Sequence, residues 1–217
     1  MSEVRAITVP RSARYHLLGG AGAECREAWF VLHGYGQLAG AFLEPFRALA
    51  SPQRALVAPE ALSRFYLRRG TGEVGASWMT KEARAEEIAD TVRYLDLLAE
   101  DVLGSRMGDV AVHALGFSQG AAAAARWAAL GRARIRRLTL WGGALPPDLD
   151  LESYGERLRG ARWTFVLGDR DQTVGRAAFE TGLERLRAAG IEPEVLPFAG
   201  GHELDGPTLA LLARQAS

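Results

Sequence analysis

Five short apolar runs, each closed by a glycine within two residues, do most to limit what this chain can fold into. They cover residues 28–32, 109–115, 135–141, 163–167 and 193–198. Runs of this length suit strands, and continuous apolar character suits strands covered on both faces, as in a parallel sheet. Between them lie segments with helical signals. Ile88, Val92, Leu95, Leu98 and Val102 recur at helical spacing after Thr80, whose hydroxyl is expected to cap that helix, and Gly104 ends it. Residues 41–50, 121–130, 174–189 and 204–213 read as further helices, the last interrupted early by Pro207. Strands alternating with helices imply an α/β fold: a mostly parallel central sheet with helices on both faces.

The remaining stretches fit around that frame. Residues 4–9 and 13–18 read as two short strands joined at Pro10-Arg11-Ser12, 55–58 as another strand, and 142–154 as a proline-containing connection. From Glu60 to Ser77 no periodicity holds, so this stretch reads as a long loop and a pocket wall, with Phe65, Tyr66 and Trp78 as substrate-pocket residues. No repeat, linker or low-complexity tract interrupts the chain, and residues 1–217 read as one domain.

Composition removes several function classes. Twenty-six basic residues balance twenty-six acidic ones, leaving no basic field for nucleic acid. Cys25 is the sole cysteine, which rules out an internal disulfide or a cysteine-rich metal cluster, and no compact ligand cluster implies a metal. No signal-peptide layout opens the chain and no apolar run reaches membrane-span length, so the expectation is a cytoplasmic protein without a membrane span. Gly19-Gly20-Ala21-Gly22 is no dinucleotide fingerprint, because Cys25 takes the third position and a strand follows. No cofactor is implied.

Chemistry enters at Gly116-Phe117-Ser118-Gln119-Gly120. G-x-S-x-G arises by chance in about one sequence in ten of this composition, so its letters alone carry little weight. A strand before it and a helix after it are the context of a nucleophile elbow, whose serine sits exposed on a sharp turn. Active residues of open α/β sheets gather at the carboxyl ends of strands. Four glycine-bearing loops meet that condition, at 33–36, 116–120, 168–171 and 200–203, and the last three hold Ser, Asp and His in that order.

A serine hydroxyl needs a base to become a nucleophile at neutral pH. Of four histidines, His16 lies on an early strand, His33 in a turn before the acid, and His113 inside the elbow strand. His202, in a glycine-rich loop after the last strand, remains. Asp171 is the expected acid; Asp169 on the same turn competes for that role, and Asp148 and Asp150 are weaker candidates. The backbone N–H groups of Tyr35 and Gln119 would form the oxyanion hole, so side-chain changes there should hurt less than changes at Ser118.

Phe30-Val31-Leu32-His33-Gly34-Tyr35-Gly36, Gly116-Phe117-Ser118-Gln119-Gly120-Ala121, Gly168-Asp169-Arg170-Asp171-Gln172-Thr173-Val174, Gly201-His202-Glu203 and Ser77-Trp78 resemble the phospholipase/carboxylesterase family of α/β-hydrolases, which includes the acyl-protein thioesterases. The resemblance implies a cofactor-free serine hydrolase with little or no lid and with Ser118, Asp171 and His202 as its triad, acting on small to medium esters or on thioesters of proteins or coenzyme A. Gln37 departs from the aspartate many members carry, and residues 64–75 lack the proline-rich character of the thioesterases. A non-catalytic ligand-binding role is the competing class, and it has no need of a complete Ser, Asp and His set.

Overall fold

The computed structural model describes residues 2–68 and 70–216. Its strands are β1 (Tyr15–Leu18), β2 (Glu27–Leu32), β3 (Arg54–Pro59), β4 (Ser63–Tyr66), β5 (Val74–Ser77), β6 (Ala111–Phe117), β7 (Ile135–Trp141), β8 (Arg162–Gly168) and β9 (Glu194–Phe198). Its α-helices are α1 (Ala39–Leu43), α2 (Arg84–Leu103), α3 (Gln119–Leu130), α4 (Leu151–Arg159), α5 (Arg176–Ala188) and α6 (Gly206–Ala216). Seven strands form one sheet in the order β1-β3-β2-β6-β7-β8-β9, antiparallel only at the β1 edge.

Alternation along the strands assigns the two faces. Ala28, Phe30, Leu32, Val112, Ala114, Leu138, Leu140, Trp163 and Phe165 pack under α2, α3, α4 and α5. Trp29, Val31, Leu115, Phe117, Trp141 and Val166 pack against α1, α6 and the 3₁₀ turn at Glu44–Leu49. Burying both faces explains why these strands read as unbroken apolar runs. Chain order reverses between β2 and β6: β3 lies outward of β2 on one side, while β6 opens the other half. The carboxyl ends of β2 and β6, with Leu32 opposite Gly116, therefore flank the topological switch point.

The structure corrects several local expectations. Residues 4–9 and 13–14 carry no strand; exposed Val4, Ile7 and Val9 find no sheet to pair with, and only 15–18 reach β3. The expected loop from 60 to 77 contains the hairpin of β4 and β5, whose alternation is obscured by arginines on its exposed side. Thr80 does not cap α2. The helix starts at Arg84 after Ala83, a non-glycine residue at φ 46°, while the Glu87 carboxylate accepts from the Thr80 backbone and hydroxyl. The connection after β7 ends at α4, capped by Asp150 accepting from the Glu152 and Ser153 amides. Pro207 does not interrupt α6; it sits in the first turn, where its missing N–H costs nothing.

The elbow between β6 and α3 is held by backbone contact. A β-carbon on Gly116 would lie 2.1 Å from the Gly120 carbonyl oxygen, and one on Gly120 would lie 2.3 Å from that of Leu32. Neither neighbour can yield without moving the strand or the helix. Gly116→Ala should cost about 3 kcal/mol or more and lower the thermal midpoint by roughly 10 °C, whereas Gly108→Ala, at open space and without positive φ, should be near neutral. Thermal unfolding of the two variants checks this.

Candidate active site

Ser118 is the residue where the chain turns from β6 into α3, at φ 54° and ψ −116°. A side chain rarely tolerates this region, and such strain is characteristic of residues pushed out for function. Its own amide donates to Trp141 O at 2.8 Å, tying the turn to the end of β7.

Asp171 and His202 come from the loops after β8 and β9, which adjacent parallel strands bring side by side. His202 Nδ1 lies 2.7 Å from Asp171 Oδ2. The Asp171 carboxylate is buried and also accepts from the Thr173 amide through Oδ1 at 2.8 Å. Burial pushes its pKa up, but the His202 hydrogen bond, the backbone N–H groups and the imidazole charge together hold it below the ordinary aspartate value of 3.8. An ionised Asp171 accepts a hydrogen bond from the Nδ1–H of His202, which leaves the Nε2 lone pair free. The imidazole packs on Phe117, centroid to centroid 4.8 Å, one residue from Ser118.

Gly142 makes room for the pair, a role that nothing in its sequence context announces. It sits at φ 54°, and a β-carbon there would stand 3.1 Å from the imidazole and 3.4 Å from Asp171 Oδ2. The indole N–H of Trp141 donates to Glu203 O at 2.8 Å and anchors the histidine loop. Ser118 and His202 thus both abut residues 141–142.

The competing residues have other partners. Asp169 Oδ1 accepts from the Gly200 amide at 3.0 Å, bracing the two loops. Asp148 pairs with Arg84 and Arg126, and Asp150 caps α4. His33 is buried, its Nδ1 2.7 Å from Gly34 O and its Nε2 accepting from the Ala61 amide, and burial lowers its pKa. Burial, with Arg137, Arg136 and Arg54 adding to it, pushes His113 down to about 3, so it is a very weak base. His16 sits against Gly40 on the β1 edge.

The turn after β2 faces the elbow across the switch point. Gly36 N–H donates to Ala76 O and Gln37 N–H to Gly34 O, while Tyr35 N–H takes no partner among the described residues. Gln37 Oε1 accepts from the Gly34 amide at 2.7 Å, so this amide oxygen supplies the acceptor that an aspartate would. Gln119 opens α3, where the first backbone N–H groups lack intrahelical partners. Its side chain braces the neighbouring segment. Oε1 accepts from Trp78 N at 3.0 Å, and Nε2 donates to Ser77 Oγ at 3.1 Å and Met79 O at 2.9 Å. The Gln119 side chain thus has a bracing role of its own, beside the main-chain role expected of this residue.

None of the three residues expected in the pocket lines the groove at Ser118. Phe65 stacks on Tyr35, Tyr66 is exposed, and Trp78 is buried with its indole donating to His33 O at 2.8 Å. The groove that reaches Ser118, about 600 Å³, runs instead between α3, α5, Met79 and the 144–147 segment. Among the described residues, no cluster of three histidine, cysteine or acidic side chains is placed to hold a metal ion, and no helix is long and apolar enough to cross a membrane.

No protein-family model matches this sequence, and no curated protein matches it. Solved structures do. Maize (Zea mays) acyl-protein thioesterase 2 superposes with a TM-score of 0.73 at 18% identity, covering 94% of this chain and 98% of that one. A carboxylesterase from Mesorhizobium loti gives 0.71 at 23% identity, with 94% of each chain covered. The fold is that of the α/β-hydrolases. Esterase PE8, at a TM-score of 0.64 and 20% identity over 95% of this chain and 98% of its own, shares it.

Two measurements probe the site's architecture. Gln119→Ala should lose about 1–3 kcal/mol in chemical denaturation, since the buried Trp78 amide loses its acceptor. Asp171 has a depressed folded pKa, so its contribution is present above the ordinary value of 3.8 and is lost as pH falls through the lower folded value. The stability gap between wild type and Asp171→Asn should accordingly hold from pH 7 to about 4 and close below it, as read from urea denaturation at each pH.

Proposed function

We propose that this chain is a serine carboxylesterase in which Ser118, His202 and Asp171 act together through an acyl-enzyme. The 2.7 Å contact between His202 Nδ1 and Asp171 Oδ2, beside a serine held at positive φ on a strand-to-helix turn, carries the reading. A buried carboxylate oriented on an imidazole in this way has a clear chemical use: it presents a basic Nε2 to a hydroxyl.

In the first half-reaction Ser118 Oγ attacks the ester carbonyl carbon and its proton passes to His202 Nε2. The carbonyl oxygen becomes an oxyanion facing the Gln119 and Tyr35 backbone N–H groups, and Asp171 stabilises the imidazolium. The intermediate collapses as the alkoxide leaves with the proton from Nε2. Water then gives a proton to Nε2, attacks the acyl-enzyme and releases the acid, and the proton returns to Ser118. A thioester would enter the same cycle with a thiolate as leaving group, and the overall likeness to an acyl-protein thioesterase gives that variant its place. Turnover of matched oxygen esters and thioesters separates the two.

A fluorophosphonate probe should label the wild type at Ser118 and leave Ser118→Ala unlabelled. The same variant should lose at least about 10⁴-fold in turnover of a small chromogenic ester. Equal labelling of both proteins would overturn the assignment.

A further inference from the structure

The groove at Ser118 carries a charge pattern that a neutral acyl chain does not require. Met79, Ala122, Ala144, Leu145, Pro146 and Pro147 give it small apolar walls, and Arg84, Arg126 and Arg185 also line it. Among the described residues no acidic side chain lines it. Arg185 has two carbonyl acceptors of its own, donating to Pro146 O at 3.0 Å and Leu149 O at 2.6 Å.

Arg84 and Arg126 share theirs. Both converge on the same pair of acceptors, Asp148 Oδ1 at 2.9 and 2.7 Å and the Met79 sulfur at 3.6 and 3.3 Å. One carboxylate oxygen and a weakly accepting thioether therefore serve two guanidiniums, each with five donors. Arg126 is only 5% exposed, yet its Nε has no hydrogen-bond partner among the described residues. Leaving a buried charged group under-satisfied is costly unless something else meets it. Arg84, with 40% of its side chain exposed, can swing toward the groove. Three arginines line this wall, and two of them share the carboxylate of Asp148 behind it.

Helix geometry connects that charge to the hydroxyl. Ser118, Ala122 and Arg126 are spaced by four residues, so they share one face of α3, and Ala122 leaves the path between them open. Eight residues of helix separate Ser118 from Arg126 by about 12 Å, and because helical side chains lean toward the N-terminus the guanidinium lies nearer, roughly 7–8 Å from the serine. A leaving group must take its proton from His202, which does not line this groove. The groove therefore belongs to the acyl half of the substrate.

Resting on the esterase reading above, we propose that the preferred acyl group carries a terminal anion, a carboxylate about five or six carbons along the chain, held by Arg84 and Arg126. The planar guanidinium fork matches a carboxylate in two parallel hydrogen bonds, which a lysine could not reproduce.

The test compares p-nitrophenyl half-esters of succinate, glutarate, adipate and suberate with neutral acyl esters of equal length. kcat/KM for the anionic ester should exceed its neutral match at least tenfold at glutarate or adipate. Arg84→Gln should erase most of that ratio and Arg126→Gln more, if it folds. Asp148→Asn, which frees both arginines, should raise it. Equal or lower kcat/KM for the anionic esters at every length overturns the proposal while leaving the esterase reading intact. So does Arg84→Gln lowering both series alike. Acetate esters of 4-hydroxybenzoate and of its methyl ester test the other half of the substrate; a preference for the anionic leaving group overturns the acyl assignment. If neither series turns over, the esterase reading fails and calorimetry with glutarate decides the anion site. Binding weakened at least tenfold by Arg84→Gln supports the site, and no binding to wild type overturns it.

Discussion

Close backbone packing at the elbow is the constraint on which the rest of the molecule depends. Gly116 and Gly120 let the first turn of α3 press against the ends of β6 and β2, at distances no β-carbon could occupy. That contact drives Ser118 into positive φ and out of the sheet, and it sets the start of α3 beside the turn after β2. A looser elbow would leave the serine in an ordinary conformation and its neighbouring amides pointing elsewhere.

Around this point each loop is fixed by a main-chain contact and freed in one side chain. Asp169 holds Gly200 and Trp141 holds Glu203, so that Asp171 and His202 meet; Gln119 holds the 77–79 segment, so that Met79 reaches the groove. After β8 the carboxylate nearer the strand braces the loops, while the one two residues further out meets the imidazole of His202. That division distinguishes Asp169 from Asp171, two carboxylates on one turn with the same charge and different neighbours.

Much of this is legible in the residues. Continuous apolar runs with glycine at their ends specify buried parallel strands, because a side chain on either face must be apolar and the loops must turn sharply. The run at 135–141 matches β7 to the residue, and the order of serine, aspartate and histidine follows from strand order. The hairpin of β4 and β5 is not legible, because one exposed face carries arginines and aromatics with no clear alternation. Residues 4–9 have the β-branched, apolar content of a strand, yet no strand forms there. Local pattern cannot tell whether a partner exists.

The sequence by itself determined the α/β class, the strand-to-helix turn at Ser118 and the chain order of the loops that carry Ser118, Asp171 and His202, since each depends on local chain geometry and on the order of strands. Tertiary structure alone decided which surfaces face the serine. Phe65, Tyr66 and Trp78 have the apolar bulk of pocket residues, yet one stacks on a turn, one faces outward and one is buried in the core. Arg84, Arg126 and Asp148 come from segments far apart in the chain, and nothing in the spacing of those residues announces that they meet. Their meeting follows from how α2 and α3 pack on one face of the sheet, a long-range arrangement that periodicity does not encode.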